Sequence, residues 1–135
     1  MQVLKKRDSG EQVFPRKASA GEAAEGASLA GYLAEHLGLD LTSYVTGVDD
    51  EGLVSRWISG RTTPKPTTLG RLRAAAEATR LLVGCYGGET AQSWFAGMNP
   101  WLDDEAPGYV LRHGDRPETW QAVVAASKDF VELIR

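Results

Sequence analysis

A single cysteine, Cys85, stands in 135 residues, which excludes an intramolecular disulfide framework and any multi-cysteine zinc site. No apolar run approaches the ~20 residues that a membrane span requires. The amino terminus, Met1-Gln2-Val3-Leu4-Lys5-Lys6-Arg7, meets charge before any apolar stretch of the kind a secretory signal carries. A cytoplasmic location without membrane association is the expectation. Sustained period-2 alternation is missing as well, so no segment reads as a strand and the chain reads as all-α. Nothing assembles a nucleophile, a base and an oxyanion donor, so no catalytic residue and no enzyme activity are expected. The two histidines, His36 and His113, are far apart and read as core or rim residues. Asp103-Asp104-Glu105 are adjacent acids that spread around the backbone and read as a solvated turn. Gly84-Cys85-Tyr86-Gly87-Gly88 lacks the Lys-Ser/Thr pair of a phosphate loop, which leaves Cys85 as a hinge or core residue. Neither a metal nor another cofactor is expected.

The material for a core is present. Hydrophobic residues make up 42% and charged residues 24% of the chain, and a chain of this length buries roughly two-thirds of its unfolded surface. The formal net charge of -3 argues at first against a nucleic-acid partner, but the charge is unevenly placed. After residue 83 the acids outnumber the bases eight to four. Between Ser55 and Arg80, Arg56, Arg61, Lys65, Arg71, Arg73 and Arg80 face only Glu77. A basic stretch therefore sits inside an acidic total.

Residues 1–26 are rich in Gly, Ala, Ser, Lys and Glu, with only Val13-Phe14 as an apolar pair, and read as a flexible basic arm. Leu29, Leu33 and Leu37 then recur every four residues from Ser28, with Gly38 as a stop. A second short set is Leu41, Tyr44, Val45 and Val48. A third helix, Asp50 to Ser59, pairs Leu53 with Trp57 and Val54 with Ile58, and Gly60 ends it. Arg61 to Pro66 carries two prolines and reads as a loop. Thr67 is placed to cap a long helix from Thr68 to Val83. Shorter helices follow around Ala91 to Met98 and Ala106 to Leu111. The last helix steps through Trp120, Val123, Val124, Ser127, Phe130, Val131 and Ile134, with Asp115-Arg116-Pro117-Glu118 as its capping box.

Residues 27–84 thus have the parts of a helix-turn-helix domain with a long fourth helix, and residues 85–135 form a second helical unit. In such a domain the third helix buries one face and turns the other to the major groove. Leu53, Val54, Trp57 and Ile58 are placed inward. Ser55, Arg56 and Ser59 are left outside, followed in the loop by Arg61 and Lys65, and these five are the candidate DNA contacts. Asp49-Asp50-Glu51 set three acids at the start of this helix. They suit its dipole, but next to phosphates they would repel.

The run Val54-Ser55-Arg56-Trp57-Ile58-Ser59-Gly60, then Pro64 and Arg71-Leu72, resembles the helix-turn-helix of Xre-like antitoxins. Trp94-Phe95, Asn99-Pro100, Leu102, Pro107, Leu111, Gly114 and the terminal helix resemble the toxin-binding domain of the Xre/MbcA/ParS family. The resemblance spans about residues 28–134. It implies an antitoxin that covers the active site of a RES-domain, NAD-consuming toxin and represses its own operon through operator DNA, as a homodimer. The toxin contacts expected with it are Asn99, Trp101, Arg112, Lys128, Glu132 and Arg135. Two other readings stay open: a stand-alone transcriptional regulator whose second half only dimerises, and an adaptor that has lost DNA binding.

Overall fold

Ser19 and Glu22 form a reciprocal cap: the Ser19 hydroxyl accepts from the Glu22 amide, and the Glu22 carboxylate accepts from the Ser19 amide, each at 3.1 Å. Two orphaned donors are satisfied, and helix α1 runs Ala20–Leu37. The expected arm of residues 1–26 is corrected accordingly, since residues 20–26 are helical and α1 begins eight residues ahead of Ser28. Tertiary contacts hold this first part. Gly26 lies so close to the Pro64 ring that a Cβ would overlap it, and Glu25 accepts two bonds from Arg73, at 2.7 and 2.8 Å. The computed structural model describes residues 19–134. The remainder of the expected arm and Arg135 lie outside them.

The further helices are α2 (Leu39–Thr46), α3 (Glu51–Ile58), α4 (Pro66–Tyr86), α5 (Gly88–Ala96), α6 (Pro107–His113) and α7 (Pro117–Ile134), with a 3-10 turn at Pro100–Leu102. Among the described residues there is no strand, and the fold is all-α as read. No helix is long and apolar enough to cross a membrane among these residues.

Two helix starts differ from expectation for the same reason. Thr67 does not cap α4, because Pro66 takes the first helical position, where its missing N–H is no loss, and the Lys65 carbonyl accepts from Leu69 at 2.8 Å. Likewise Pro117 begins α7 and the Arg116 carbonyl accepts from Trp120, so Arg116 rather than Asp115 holds the cap position. At its other end α4 runs through Gly84 to Tyr86, which places Cys85 on the surface and not in the core or at a hinge.

Helix α4 is the central element: α1, α5 and α7 pack along it, while α2 contacts α1, α3, α4 and α6. Ala74, Ala75, Ala76 and Ala78 are buried on it, and small side chains let several helices approach one rod. One continuous apolar cluster joins Leu33, Val45 and Val54 of the first half to Phe95, Leu111 and Val123 of the second. The boundary expected at residues 84 and 85 falls inside α4. Gly70 lies against the six-membered ring of Trp120, where any Cβ would collide with it. Gly70→Ala is expected to destabilise the fold by about 1–3 kcal/mol through overpacking. Urea unfolding reads this directly, and an unchanged midpoint would contradict the α4–α7 contact.

The Glu25–Arg73 pair supplies a pH signature. Its hydrogen bonds to Arg73 hold the Glu25 carboxyl below its ordinary range, against a smaller opposing effect of burial. A lowered folded-state pKa means stabilisation that is present above the ordinary carboxylate value and lost as the pH falls through the folded value. Between about pH 5 and about pH 3, the wild type should lose more stability than Glu25→Gln. Equal losses in the two proteins would refute this.

Candidate functional site

Helix α2 ends at Gly47, whose φ of +85° is left-handed backbone that glycine adopts without strain. The turn to α3 is closed by local bonds: the Val48 amide donates to the Ser43 carbonyl at 3.1 Å, and the Ser43 hydroxyl donates to the Val48 carbonyl at 2.7 Å. Asp50 then caps α3 by accepting from the Gly52 amide at 2.8 Å. Val54 and Trp57 are buried, which fixes the roll of this helix. Ser55, Arg56 and Ser59 are exposed on its other side, and Arg61 and Lys65 are exposed in the loop that follows. All five candidate DNA contacts are therefore accessible. Ile58 departs from its expected inward position, at 37% exposed. Gly31 of α1 lies beside it and has no side chain to cover it.

The end of α2 depends on two arginines from distant parts of the chain. Arg71 of α4 donates to the Thr46 carbonyl at 3.2 Å and twice to the Gly114 carbonyl, at 2.9 and 3.0 Å. Arg112 of α6 donates to the Tyr44 carbonyl at 3.1 Å and the Val48 carbonyl at 3.4 Å, pairs with Asp49, and lies over the Tyr44 ring at 4.8 Å. The last carbonyls of a helix have no partner within it, and cationic donors there are also favoured by the helix dipole. Burial pushes the Arg71 guanidinium below its ordinary pKa, with a nearby Asp115 acting the other way. The Trp120 indole donates to the same Gly114 carbonyl at 3.0 Å, so α4, α6 and α7 meet where α2 stops.

This geometry changes the meaning of the three acids. Asp49 is paired with Arg112, and Asp50 is spent on the cap and on Arg56, whose nitrogen lies 3.3 Å away. Glu51 is exposed in the first turn of α3.

The expected partner contacts separate into distinct roles. Asn99 is buried, and its side-chain oxygen accepts from the Trp101 amide at 2.9 Å, which starts the 3-10 turn. Arg112, with a side chain only 18% exposed, is committed to the α2–α3 turn. Trp101 is exposed at 42%. Lys128 is exposed and 3.9 Å from Glu77, and Glu132 is exposed on the same helix. Beside Trp101 lies an open groove of about 430 Å³, lined among others by Trp94, Met98, Phe130 and Leu133. Met98 and Leu133 are 83% and 69% exposed. Helix α5 stops at Ala96, which releases Met98 from its expected helical face. Met98 and Leu133 are not marked by the sequence: Met98 continues a helical period that ends at Ala96, and Leu133 lies off the apolar stripe of the last helix.

The acidic run 103–105 is exposed, with left-handed backbone at Asp103 and Asp104. The rings of Tyr32 and His36, and of Tyr109 and His113, meet at a tilt with centroids 4.5 and 4.3 Å apart. Among the described residues no group of three His, Cys, Asp or Glu could hold a metal ion. The chain matches no family model, no curated protein and no solved structure.

Asp50 serves α3 chiefly as its cap. Asp50→Ala should cost about 1 kcal/mol of stability, while Asp50→Asn, which keeps an accepting oxygen, should cost much less. Equal losses for the two in thermal unfolding would show that the ion pair with Arg56, and not the cap, is what matters.

Proposed function

We propose that the chain is the antitoxin of a toxin–antitoxin pair, of the Xre/MbcA/ParS type, that reads operator DNA with α3 and covers the active site of a RES-domain toxin with its second half. The observation that carries this reading is the presence of two exposed surfaces of different chemistry. One is the face of α3 and its loop, with Ser55, Arg56, Ser59, Arg61 and Lys65 clear of the core. The other is the apolar groove at Met98, Trp101 and Leu133. A helix-turn-helix needs the first, and a protein partner suits the second.

The residues behind the family resemblance support it in kind. Val54 and Trp57 set the roll of α3, Arg71 ties the turn to α4, and Asn99 shapes the segment that presents Trp101. In this proposal the protein acts as a homodimer in the cytoplasm, without a cofactor and without catalysis of its own. The rival reading, a stand-alone regulator, shares the α3 surface and assigns the groove to a second copy of the chain.

Co-expression with the neighbouring toxin gene separates the two. The antitoxin reading expects rescue of growth and co-purification, and expects Trp101→Ala with Leu133→Asp to weaken the complex at least tenfold, as loss of an aromatic anchor does (about 2 kcal/mol or more). A toxin that stays lethal and unbound would sink the antitoxin reading. For DNA, replacing Arg56 and Arg61 by alanine should lower affinity and reduce the salt slope by about one per lost phosphate contact. An unchanged slope would remove these residues from the interface.

A further inference from the structure

We infer that Arg112, although it belongs to the second half, is a positioning and charge-masking residue for the DNA-reading helix. The inference rests on the DNA-reading part of the proposed function. Asp49 is the last turn residue before the cap of α3, and its side chain is 87% exposed. In a helix-turn-helix the amino end of the third helix is the part that approaches the groove, so an unpaired carboxylate there meets phosphate. Arg112 reaches across from α6 and pairs with that carboxylate, while its other nitrogen donates to the Tyr44 and Val48 carbonyls. The planar fork holds an anion and two carbonyls at once, which the point charge of a lysine does less well.

Arg71 lies in the same cluster but bonds only to carbonyls, of Thr46 and Gly114. The two arginines thus divide the work: Arg71 closes the end of α2, and Arg112 also cancels the charge that would oppose DNA. One consequence is that the reading surface is incomplete without α6. Another is that an acidic residue at position 49 is compatible with DNA binding only while position 112 is cationic.

The test is a double-mutant cycle in the full chain, with a labelled duplex from directly upstream of its reading frame and a scrambled duplex as control. Arg112→Gln should weaken specific binding about tenfold by leaving a like charge at the interface. Asp49→Asn added to Arg112→Gln should restore affinity to within about threefold of wild type, and the coupling should shrink as salt rises. A purely structural role for Arg112 predicts no such rescue, because its lost carbonyl bonds are lost whatever occupies position 49. Failure of rescue therefore overturns the inference. Asp49→Asn alone should change affinity by less than about threefold, since the charge is already masked; a tenfold gain there would overturn the inference even if Arg112→Gln did not fold. A wild type with no preference for the upstream duplex would instead overturn the DNA reading itself.

Discussion

The carbonyls at the end of α2 need donors, and the chain supplies them from far away. An eight-residue helix that stops in a tight turn leaves its last carbonyls short of donors: the Gly47 and Val48 amides serve Tyr44 and Ser43, and distant side chains supply the rest. Arg71 and Arg112 meet that need from α4 and α6. Because Arg71 also binds the Gly114 carbonyl, to which Trp120 donates, the same contacts set where α7 lies against α4. The turn before α3, the stop of α6 and the start of α7 are therefore one structural problem with one solution. The orientation of α3, and with it any reading of DNA, follows from it.

Charge is distributed in keeping with this arrangement. The cations of α3 and its loop are exposed, as are Lys128 and Arg116 of the second half, whereas Arg112 is committed to the turn. The second half also offers apolar side chains in a groove, with the acidic run 103–105 next to Trp101. A basic partner surface with an apolar centre would be attracted by the one and held by the other.

Periodicity carried most of the fold. Leu29, Leu33 and Leu37 marked α1, Val54 and Trp57 the buried face of α3, and the valines of α7 its core stripe. All of these are buried as read. What stayed hidden was long-range. The start of α1 was written in the Ser19 and Glu22 cap, but low apolar content masked it. Arg71 and Arg112 looked like surface charge, since nothing local marks an arginine whose acceptors lie 25 or 68 residues away. Asn99 is expected as a contact only through the family resemblance that its Asn-Pro pair carries, and its position before the 3-10 turn makes it a buried cap. The sequence did mark Trp101, whose place after Pro100 keeps it at the end of a helix and in the open. Met98 is surface because α5 stops at Ala96, and Leu133 lies off the buried stripe of α7.

The central claim is that α3 and the second half form one cooperative unit joined through the end of α2. Native-state hydrogen exchange tests it most directly. Amides of Val54 and Trp57 in α3 should open with the same free energy as those of Val123 and Val124 in α7, and Arg71→Ala should lower both together. Opening of α2 and α3 at a distinctly lower free energy, with α7 still fully protected, would contradict it.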